Sequence, residues 1–253
     1  MKFCISGGHL TPALAFIDHL KEQHPEDDCV FLGRLFSKSG DSQESQEKKA
    51  VEQRKILFIP FSSAKLTQDS LLHRILSVPG VLWATGKAIH IVRQQKPDVF
   101  ISFGGYLAIP IALAMWLLRV PIITHEQTRV AGFANIIIAK FARYIAVSYP
   151  ESEVYFPKNR TIVTGNLVRK SVLMTSKQLP EWLQKKPRLP VLYITGGSQG
   201  SEIINRTVEQ ILPALTRQWC VIHQCGKPTT NSNYKQELES ARLKLSKAAR
   251  ENY

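Results

Sequence analysis

The sequence is poor in cysteine and in acidic side chains, and it lacks long hydrophobic runs. Four cysteines occur, none of them in a Cys-x-x-Cys pair, which argues against a zinc site or a disulfide framework and predicts buried, reduced thiols. No stretch approaches the ~20 consecutive apolar residues of a membrane-spanning helix. The amino terminus leads directly into an apolar strand, so we expect no signal peptide.

Basic side chains outnumber acidic ones, 33 to 20, and the net charge is +13. A charge of this size calls for an anionic partner: nucleic acid, an anionic lipid surface or a diphosphate substrate. The sequence has no basic helix with interleaved aromatic residues and no zinc or RNA-binding signature, so we expect no nucleic-acid partner. Charge alone does not choose between lipid and diphosphate.

Motifs of two common enzyme classes are also missing. A nicotinamide-dependent dehydrogenase has Gly-x-Gly-x-x-Gly after its first strand and an acidic residue at the end of its second. This chain has Gly7-Gly8-His9 and Gly33-Arg34 at those places, which argues against that class. No Asp-x-Asp motif occurs, so we expect no essential metal ion and no cofactor.

Three short apolar strands run into glycine pairs that are expected to open a helix: Gly7-Gly8-His9, Gly104-Gly105-Tyr106 and Gly196-Gly197-Ser198-Gln199. Glycine lets a ligand approach the backbone, and the N–H groups of a helix's first turn favour an anion. Any one of these turns is equally well explained by steric need. Three together indicate a protein that handles phosphate esters.

Apolar, strand-like runs alternate with helical patterns along the chain, which predicts βαβ units and a parallel sheet. We expect strands at residues 29–32, 56–61, 99–103, 121–124, 144–147, 161–164, 191–195 and 220–224. The polar interval 37–54 predicts a loop that leads into a solvated helix without chemistry. A polar, proline-containing stretch predicts two domains, 1–165 and 191–253, joined by a linker at 166–190. The second domain is short for a complete α/β unit.

Six segments, taken in order, resemble the bacterial MurG family. They are Gly7-Gly8-His9-Leu10-Thr11-Pro12-Ala13-Leu14-Ala15, Phe103-Gly104-Gly105-Tyr106, His125-Glu126-Gln127, Ala131-Gly132-Phe133-Ala134-Asn135, Gly165-Asn166-Leu167-Val168-Arg169 and Gly196-Gly197-Ser198-Gln199-Gly200-Ser201. The resemblance covers residues 1–228. It implies a GT-B-type α/β fold, with a Rossmann-like amino-terminal domain and the start of a second Rossmann-like domain.

The resemblance also implies an activity. Members of the family are inverting glycosyltransferases that move N-acetylglucosamine from UDP-N-acetylglucosamine to undecaprenyl-diphosphate-linked muramyl pentapeptide (lipid I). The reaction forms lipid II in peptidoglycan biosynthesis, on the cytoplasmic side of the bacterial cell membrane.

The chain departs from the family pattern at several points. Thr128 stands where members commonly have Asn, and Leu167 where they have Pro. Typical members also continue well past residue 253, with motifs that hold the donor's uracil, ribose and sugar. We therefore expect a truncated enzyme. The alternative is a non-catalytic, membrane-recruiting acceptor subunit that needs a separate donor-domain chain.

Inverting glycosyl transfer needs a base near the acceptor hydroxyl and a stabilised UDP leaving group. His9 follows the first glycine pair at a helix start, where the helix dipole disfavours a cation and helps to keep the imidazole neutral. It is the first candidate for the base, and its alternative role is to bind a substrate phosphate or cap the turn. His125 and Glu126 follow a strand at the carboxyl edge of the sheet, where α/β proteins place ligands. They are catalytic candidates unless the pair only braces a loop.

The resemblance assigns the remaining substrate contacts. In the first two glycine turns and beside His125 they are Ser6, Gly7, Gly8, Gly104, Gly105, Tyr106, Thr128 and Asn135. At the third turn, Ser198 and Gln199 are expected to hold the donor diphosphate together with backbone N–H groups, while Arg169 supplies a countercharge.

The interval 71–93 mixes leucine, valine and Trp83 with Arg74, Lys87 and Arg93. An apolar wedge with a basic rim suits a helix that lies on an anionic membrane surface. An ordinary amphipathic helix packed on the sheet fits the pattern equally well. The resemblance favours membrane contact, because the acceptor's polyprenyl tail stays in the bilayer, and it implies a peripheral membrane protein.

Overall fold

The computed structural model describes residues 1–36, 44–63, 71–174, 188–197, 200–226 and 233–253, with the backbone alone at 71–76 and 171. The chain divides into two compact units, Met1–Thr175 and Ser176–Tyr253. The sequence-based division into 1–165, a linker at 166–190, and 191–253 stays a prediction.

The first unit is built on a parallel sheet of seven strands in the order β3-β2-β1-β4-β5-β6-β7. The strands are β1 Lys2–Ser6, β2 Asp28–Gly33, β3 Leu57–Pro60, β4 Val99–Ser102, β5 Ile122–Glu126, β6 Tyr144–Val147 and β7 Thr161–Val163. The chain moves outward from β1 to β3 and then returns to β4 on the other side of β1. The carboxyl ends of β1 and β4 therefore lie side by side at the point where the strand order reverses, a common place for ligands.

Helices cover both faces of this sheet. They are α1 Leu10–Gln23, α2 Gln46–Glu52, α3 Leu71–Gln95, α4 Ala108–Leu117, α5 Phe133–Ile138 and α6 Lys170–Leu173, with two 3-10 turns at Pro150–Tyr155 and Lys158–Arg160. Side chains alternate along each strand, so one core forms around Ile5 and Phe31 with α1 and α2. A second core forms around Phe100 and Ile122 with α3, α4 and α5. The predicted α/β fold with a parallel sheet is confirmed.

Two local expectations were wrong. His125 and Glu126 are the last residues of β5 rather than residues that follow it, because they still pair with Ala146 and Val147 of β6. Gly104 and Gly105 do not open a helix directly, since α4 begins only at Ala108.

The burial of the cysteines also differs from the prediction. All four are free thiols, but only Cys4 is buried, while Cys29, Cys220 and Cys225 are partly exposed. Cys29 and Cys220 lie at the starts of β2 and β9, and Cys225 follows the end of β9.

The second unit contains a pair of parallel strands, β8 Val191–Thr195 and β9 Cys220–Gln224. This unit also contains three helices in its described part: α7 Glu202–Gln218, α8 Tyr234–Leu243 and α9 Lys247–Arg250. Val208 and Leu212 of α7 pack with Leu238 and Leu245 in a small separate core. Of the helices in the described parts of both units, none is long and apolar enough to cross a membrane.

Candidate active site at the carboxyl edge of the sheet

The first two glycine turns touch each other at the centre of this edge. A Cβ on Gly105 would lie 2.7 Å from the Cα of Gly8, and a Cβ on Gly8 would overlap the backbone of Gly104. Gly104 and Gly105 also have positive φ angles of 77° and 79°, which favour glycine. Close packing and backbone conformation within the protein thus explain why glycine occupies these turns, independently of any ligand.

His9 lies at the exposed rim of this edge. It is the N-cap residue of α1, yet its side chain makes no capping hydrogen bond, so the turn-capping role considered from the sequence is not seen. Partial burial of the ring lowers the pKa of His9, and the nearby negative charge of Glu126 opposes that shift. The imidazole is therefore accessible and tends towards its neutral, proton-accepting form.

His125 lies beneath this rim and is almost fully buried. Its ring contacts Phe103, with centroids 5.8 Å apart, and its Nε2 lies 3.4 Å from both the Gly165 carbonyl oxygen and Ser148 Oγ. Burial lowers the pKa of His125, while the Gly165 carbonyl oxygen and the charge of Glu126 oppose the shift and the neighbouring His9 adds to it. His125 Nδ1 has no hydrogen-bond partner among the described residues.

Glu126 is the anchor of the loop that follows β5. One carboxylate oxygen accepts the Thr128 N–H at 2.9 Å and its hydroxyl at 2.6 Å. The other accepts the Gly132 N–H at 2.8 Å and Asn135 Nδ2 at 2.9 Å. Burial opposes the negative charge, but these four donors outweigh burial and lower the pKa of Glu126. The carboxylate is committed to its own loop, in agreement with the bracing role.

Asn135 and Thr128 are also engaged within this network. Asn135 is buried, and besides Glu126 it donates to the His125 carbonyl oxygen at 3.1 Å and accepts the Thr124 hydroxyl at 2.8 Å. The Asn135 amide packs against Gly104. Both residues therefore position the loop and the second glycine turn.

Three buried hydroxyls lie in register below the turns, on Ser6, Ser102 and Thr124 of adjacent strands. Ser102 Oγ accepts the Gly104 N–H at 3.2 Å. Ser6 Oγ is fully buried and has no partner among the described residues. Its carbonyl oxygen accepts the Phe103 N–H at 3.1 Å, and the expected substrate contact of Ser6 stays a prediction.

The remaining predicted contacts are spread more widely. Tyr106 is half-buried and packs on the core, whereas Arg169 is exposed at the start of α6. Ser198 and Gln199 lie outside the described residues. In the third turn, Gly197 and Gly200 have positive φ angles of 77° and 76°.

The helix α3 has one face packed on the core and exposed apolar side chains elsewhere, and its contact with a membrane stays a prediction. Val81, Ala84, Ala88 and Val92 are buried in the core. On the other side, Val78, Leu82 and Trp83 are exposed, Trp83 by 62%. Lys87 Nζ lies 3.5 Å from the centroid of the Trp83 ring, which is a cation–π contact. The side chain of Arg74 lies outside the described residues.

Sequence reasoning missed four residues. Ser148 could have been found, because it follows β6 at the same carboxyl edge as His125. Glu47 lies in the polar interval to which no chemistry was assigned. Asn205 of α7 is buried and donates to the Cys225 carbonyl oxygen at 2.9 Å. Trp116 is a second half-exposed tryptophan, on α4. Nothing in the local pattern singles out the last three.

Comparison with known proteins assigns this chain to a class. Residues 6–147 match the sequence family described as "Glycosyltransferase family 28 N-terminal domain". Residues 191–248 match the one described as "Glycosyltransferase family 28 C-terminal domain". The chain belongs to glycosyltransferase family 28, and the resemblance to the MurG family is confirmed.

Particular relatives are named UDP-N-acetylglucosamine–N-acetylmuramyl-(pentapeptide) pyrophosphoryl-undecaprenol N-acetylglucosamine transferase. One from Bacillus cereus is 35% identical over 223 residues, which are 88% of this chain and 60% of the relative. One from Clostridium perfringens is 33% identical over 231 residues, 91% of this chain and 62% of the relative. The chain thus spans about 60% of the length of the curated relatives that it matches.

Solved structures support the fold. The crystal structure of Acinetobacter baumannii MurG aligns with a TM-score of 0.60 and 24% identity, over 95% of this chain and 65% of that one. The UDP-GlcNAc 2-epimerase of Neisseria meningitidis, bound to UDP-GlcNAc, also aligns with a TM-score of 0.60, at 12% identity. The alignment covers 97% of this chain and 71% of that one. At such identities the likeness concerns the fold, which is GT-B-type as expected.

Proposed function

We propose that this chain provides the acceptor-binding site of an inverting glycosyltransferase that converts lipid I to lipid II with UDP-N-acetylglucosamine. The observation that carries the proposal is the pair of imidazoles, His9 and His125, both with lowered pKa values. They lie at the carboxyl edge of a family 28 sheet, beside a loop anchored by Glu126.

His9 is the proposed base. Its ring is accessible and is not used to cap α1, and burial favours its neutral form. In an inverting transfer, the acceptor hydroxyl attacks the anomeric carbon of the donor sugar while His9 takes the hydroxyl proton and UDP leaves with the bonding electrons. Glu126 stabilises the imidazolium that forms, because its negative charge raises the pKa of His9.

His125 and Glu126 have supporting roles in this proposal. His125 is too deeply buried to reach a bulky acceptor without movement, and its Nε2 is directed to Gly165 and Ser148. Glu126 fixes the 127–132 loop through three hydrogen bonds and joins it to Asn135 through a fourth. We assign both to positioning of the site around His9.

Three other roles complete the proposal. The third glycine turn, with Ser198 and Gln199, takes part in binding the donor diphosphate. Arg169, in the first unit, contributes positive charge to substrate binding. The exposed apolar face of α3, with Trp83 and Lys87, contacts the anionic cytoplasmic face of the cell membrane, where the acceptor resides. The protein is therefore a peripheral membrane protein in this proposal.

One observation favours a second candidate function. Strand β8 pairs with β9 on one side, and within the described part of the chain no strand pairs with its other edge. Val191 and Tyr193 on β8 are 44% and 60% exposed, although parallel sheets are normally covered. A separate donor-domain chain could supply the next strand, which would make this chain an acceptor-binding, membrane-recruiting subunit.

A transfer assay distinguishes the candidates. The chain is incubated with UDP-[¹⁴C]N-acetylglucosamine and a short-chain lipid I analogue, and acceptor binding is measured in parallel by calorimetry. Labelled product with inverted anomeric configuration supports the enzyme. Acceptor binding without transfer supports the subunit, and the absence of both contradicts the two proposals.

A further inference from the structure

The carboxylate of Glu47 lies at the ends of two central strands, although nothing in the proposed reaction uses it. Glu47 is in the first turn of α2 and is half-buried. Its Oε2 accepts the Arg34 N–H at 2.9 Å. A Cβ on Gly33, the last residue of β2, would lie 2.6 Å from the same oxygen.

The same carboxylate also reaches the first glycine turn. A Cβ on Gly7 would overlap Glu47 Oε1 and would lie 2.8 Å from the Phe31 ring. The oxygen therefore lies over a hydrogen of the Gly7 α-carbon, in the arrangement of a weak C–H···O contact. Gly7 precedes Gly8, which packs on Gly104 and Gly105, and His9 follows. The Gly7–Gly8–His9 turn is thus held from two sides.

The start of α2 is itself fixed to the loop after β2, which makes Glu47 a rigid support. Ser45 caps α2 by accepting the Lys48 N–H at 3.1 Å, and its hydroxyl donates to the Arg34 carbonyl oxygen at 2.5 Å. Val51 of α2 is fully buried in the core. A carboxylate carried by such a support defines the position of what it touches.

From these contacts we infer that Glu47 is a positioning residue, which holds the Gly7–Gly8–His9 turn in place for acceptor binding by joining it to the end of β2. Burial raises the pKa of Glu47, against the opposing effect of the Arg34 amide and guanidinium. The ionised carboxylate is therefore kept at a cost in stability, as is common for side chains retained for function.

The test compares Glu47→Gln and Glu47→Ala with Glu52→Ala, an exposed glutamate on the same helix. In ¹⁵N-glycine-labelled protein, we expect the amide signals of Gly7, Gly8 and Gly33 to shift in both Glu47 variants and to stay in place in the control. Gly86, exposed on α3, is an internal reference. Glu47→Gln should unfold at an unchanged or higher temperature, because it removes a half-buried charge.

The functional arm rests on the proposed function and uses the short-chain lipid I analogue. Both Glu47 variants should bind it about tenfold more weakly, and Glu52→Ala should bind it like the wild type. Unchanged glycine signals, or unchanged affinity with a lower unfolding temperature in Glu47→Gln, would overturn the inference. If the wild type fails to bind the analogue, the proposed function fails, while the glycine signals still test Glu47.

Discussion

Gly8 and Gly105 are in backbone contact, and this contact joins the turn that carries His9 to the turn that carries Tyr106. A Cβ on Gly105 would lie 2.7 Å from the Cα of Gly8, which is closer than real Cβ atoms approach. The two turns belong to β1 and β4, the strands at which the order of the sheet reverses. The centre of the candidate site therefore depends on the absence of two side chains.

The first prediction follows from this contact. Gly105→Ala should lower the free energy of unfolding by about 1–3 kcal/mol through overpacking, with a further ~1 kcal/mol for an alanine at positive φ. The matched control is Gly86→Ala on α3, where a Cβ meets nothing within 4 Å. This control should stabilise the protein by up to ~1 kcal/mol. Urea unfolding of both variants checks the prediction, and equal stabilities would contradict it.

The second prediction concerns Glu126. Glu126→Gln turns one acceptor oxygen into an N–H₂ group that faces backbone and side-chain donors, so the free energy of unfolding should fall by about 2–3 kcal/mol at pH 7. Glu151→Gln, at an exposed carboxylate 3.8 Å from Arg129 Nε, should change it by less than ~0.5 kcal/mol. Thermal unfolding of the two variants measures the difference.

The pH dependence of the Glu126 effect has a defined sign. Because the folded-state pKa of Glu126 lies below its ordinary value of 4.5, the carboxylate contributes stability that is complete above pH 4.5 and is lost as the pH falls through the folded-state pKa. The difference in free energy of unfolding between wild type and Glu126→Gln should therefore narrow only under acid conditions. If this difference narrowed between pH 8 and pH 6, the effect would be assigned to a histidine.

The third prediction concerns catalysis in the proposed reaction. In the length-completed enzyme, His9→Ala should lower kcat by the roughly 10²–10⁴-fold expected for loss of a general base, while binding of UDP stays nearly unchanged. His19→Ala, at an exposed histidine on the same helix, serves as the control and should be as active as the wild type. Steady-state transfer kinetics decide this point, and a His9→Ala variant with near-normal kcat would leave His9 as a bystander.

The fourth prediction concerns the membrane. The double substitution of Arg74 and Lys87 by Glu should weaken sedimentation with anionic vesicles, since each interfacial basic residue contributes about 1 kcal/mol. Binding of the wild type should fall with added salt, and Trp83 fluorescence should shift to the blue on insertion. Lys49→Glu, on the exposed side of α2, should bind like the wild type. Equal binding of all proteins to neutral and anionic vesicles would contradict the prediction.

Much of the fold was predictable because each parallel strand is a short, continuous apolar run. Strands at 144–147, 191–195 and 220–224 were predicted with the bounds that the structure has. The end of β5 was not, because His125 and Glu126 are polar side chains in a strand whose burial comes from the neighbouring β6. The polarity of these two side chains indicated a loop, but pairing with β6 keeps both residues in the strand.

The residues of the candidate site were easier to predict than their roles. Glu126 was a candidate either for catalysis or for bracing a loop, and Asn135 was expected to contact the substrate. In the structure they hydrogen-bond to each other, and Glu126 also accepts donors of the loop. The hydrogen bond between Glu126 and Asn135 joins residues nine positions apart, and no local sequence pattern predicts it. Glu47 was missed for the same reason, since its contact with Gly7 bridges 40 positions of the sequence.

The most direct test of the account is to locate the acceptor on the protein. In histidine-labelled protein, a titration with the short-chain lipid I analogue should shift the imidazole signals of His9 and His125. The signals of His19 and His90, which are exposed on α1 and α3, should not move. Shifts confined to His223 of the second unit, or no histidine shifts at saturating analogue, would contradict the claim that the acceptor binds at the carboxyl edge of the seven-stranded sheet.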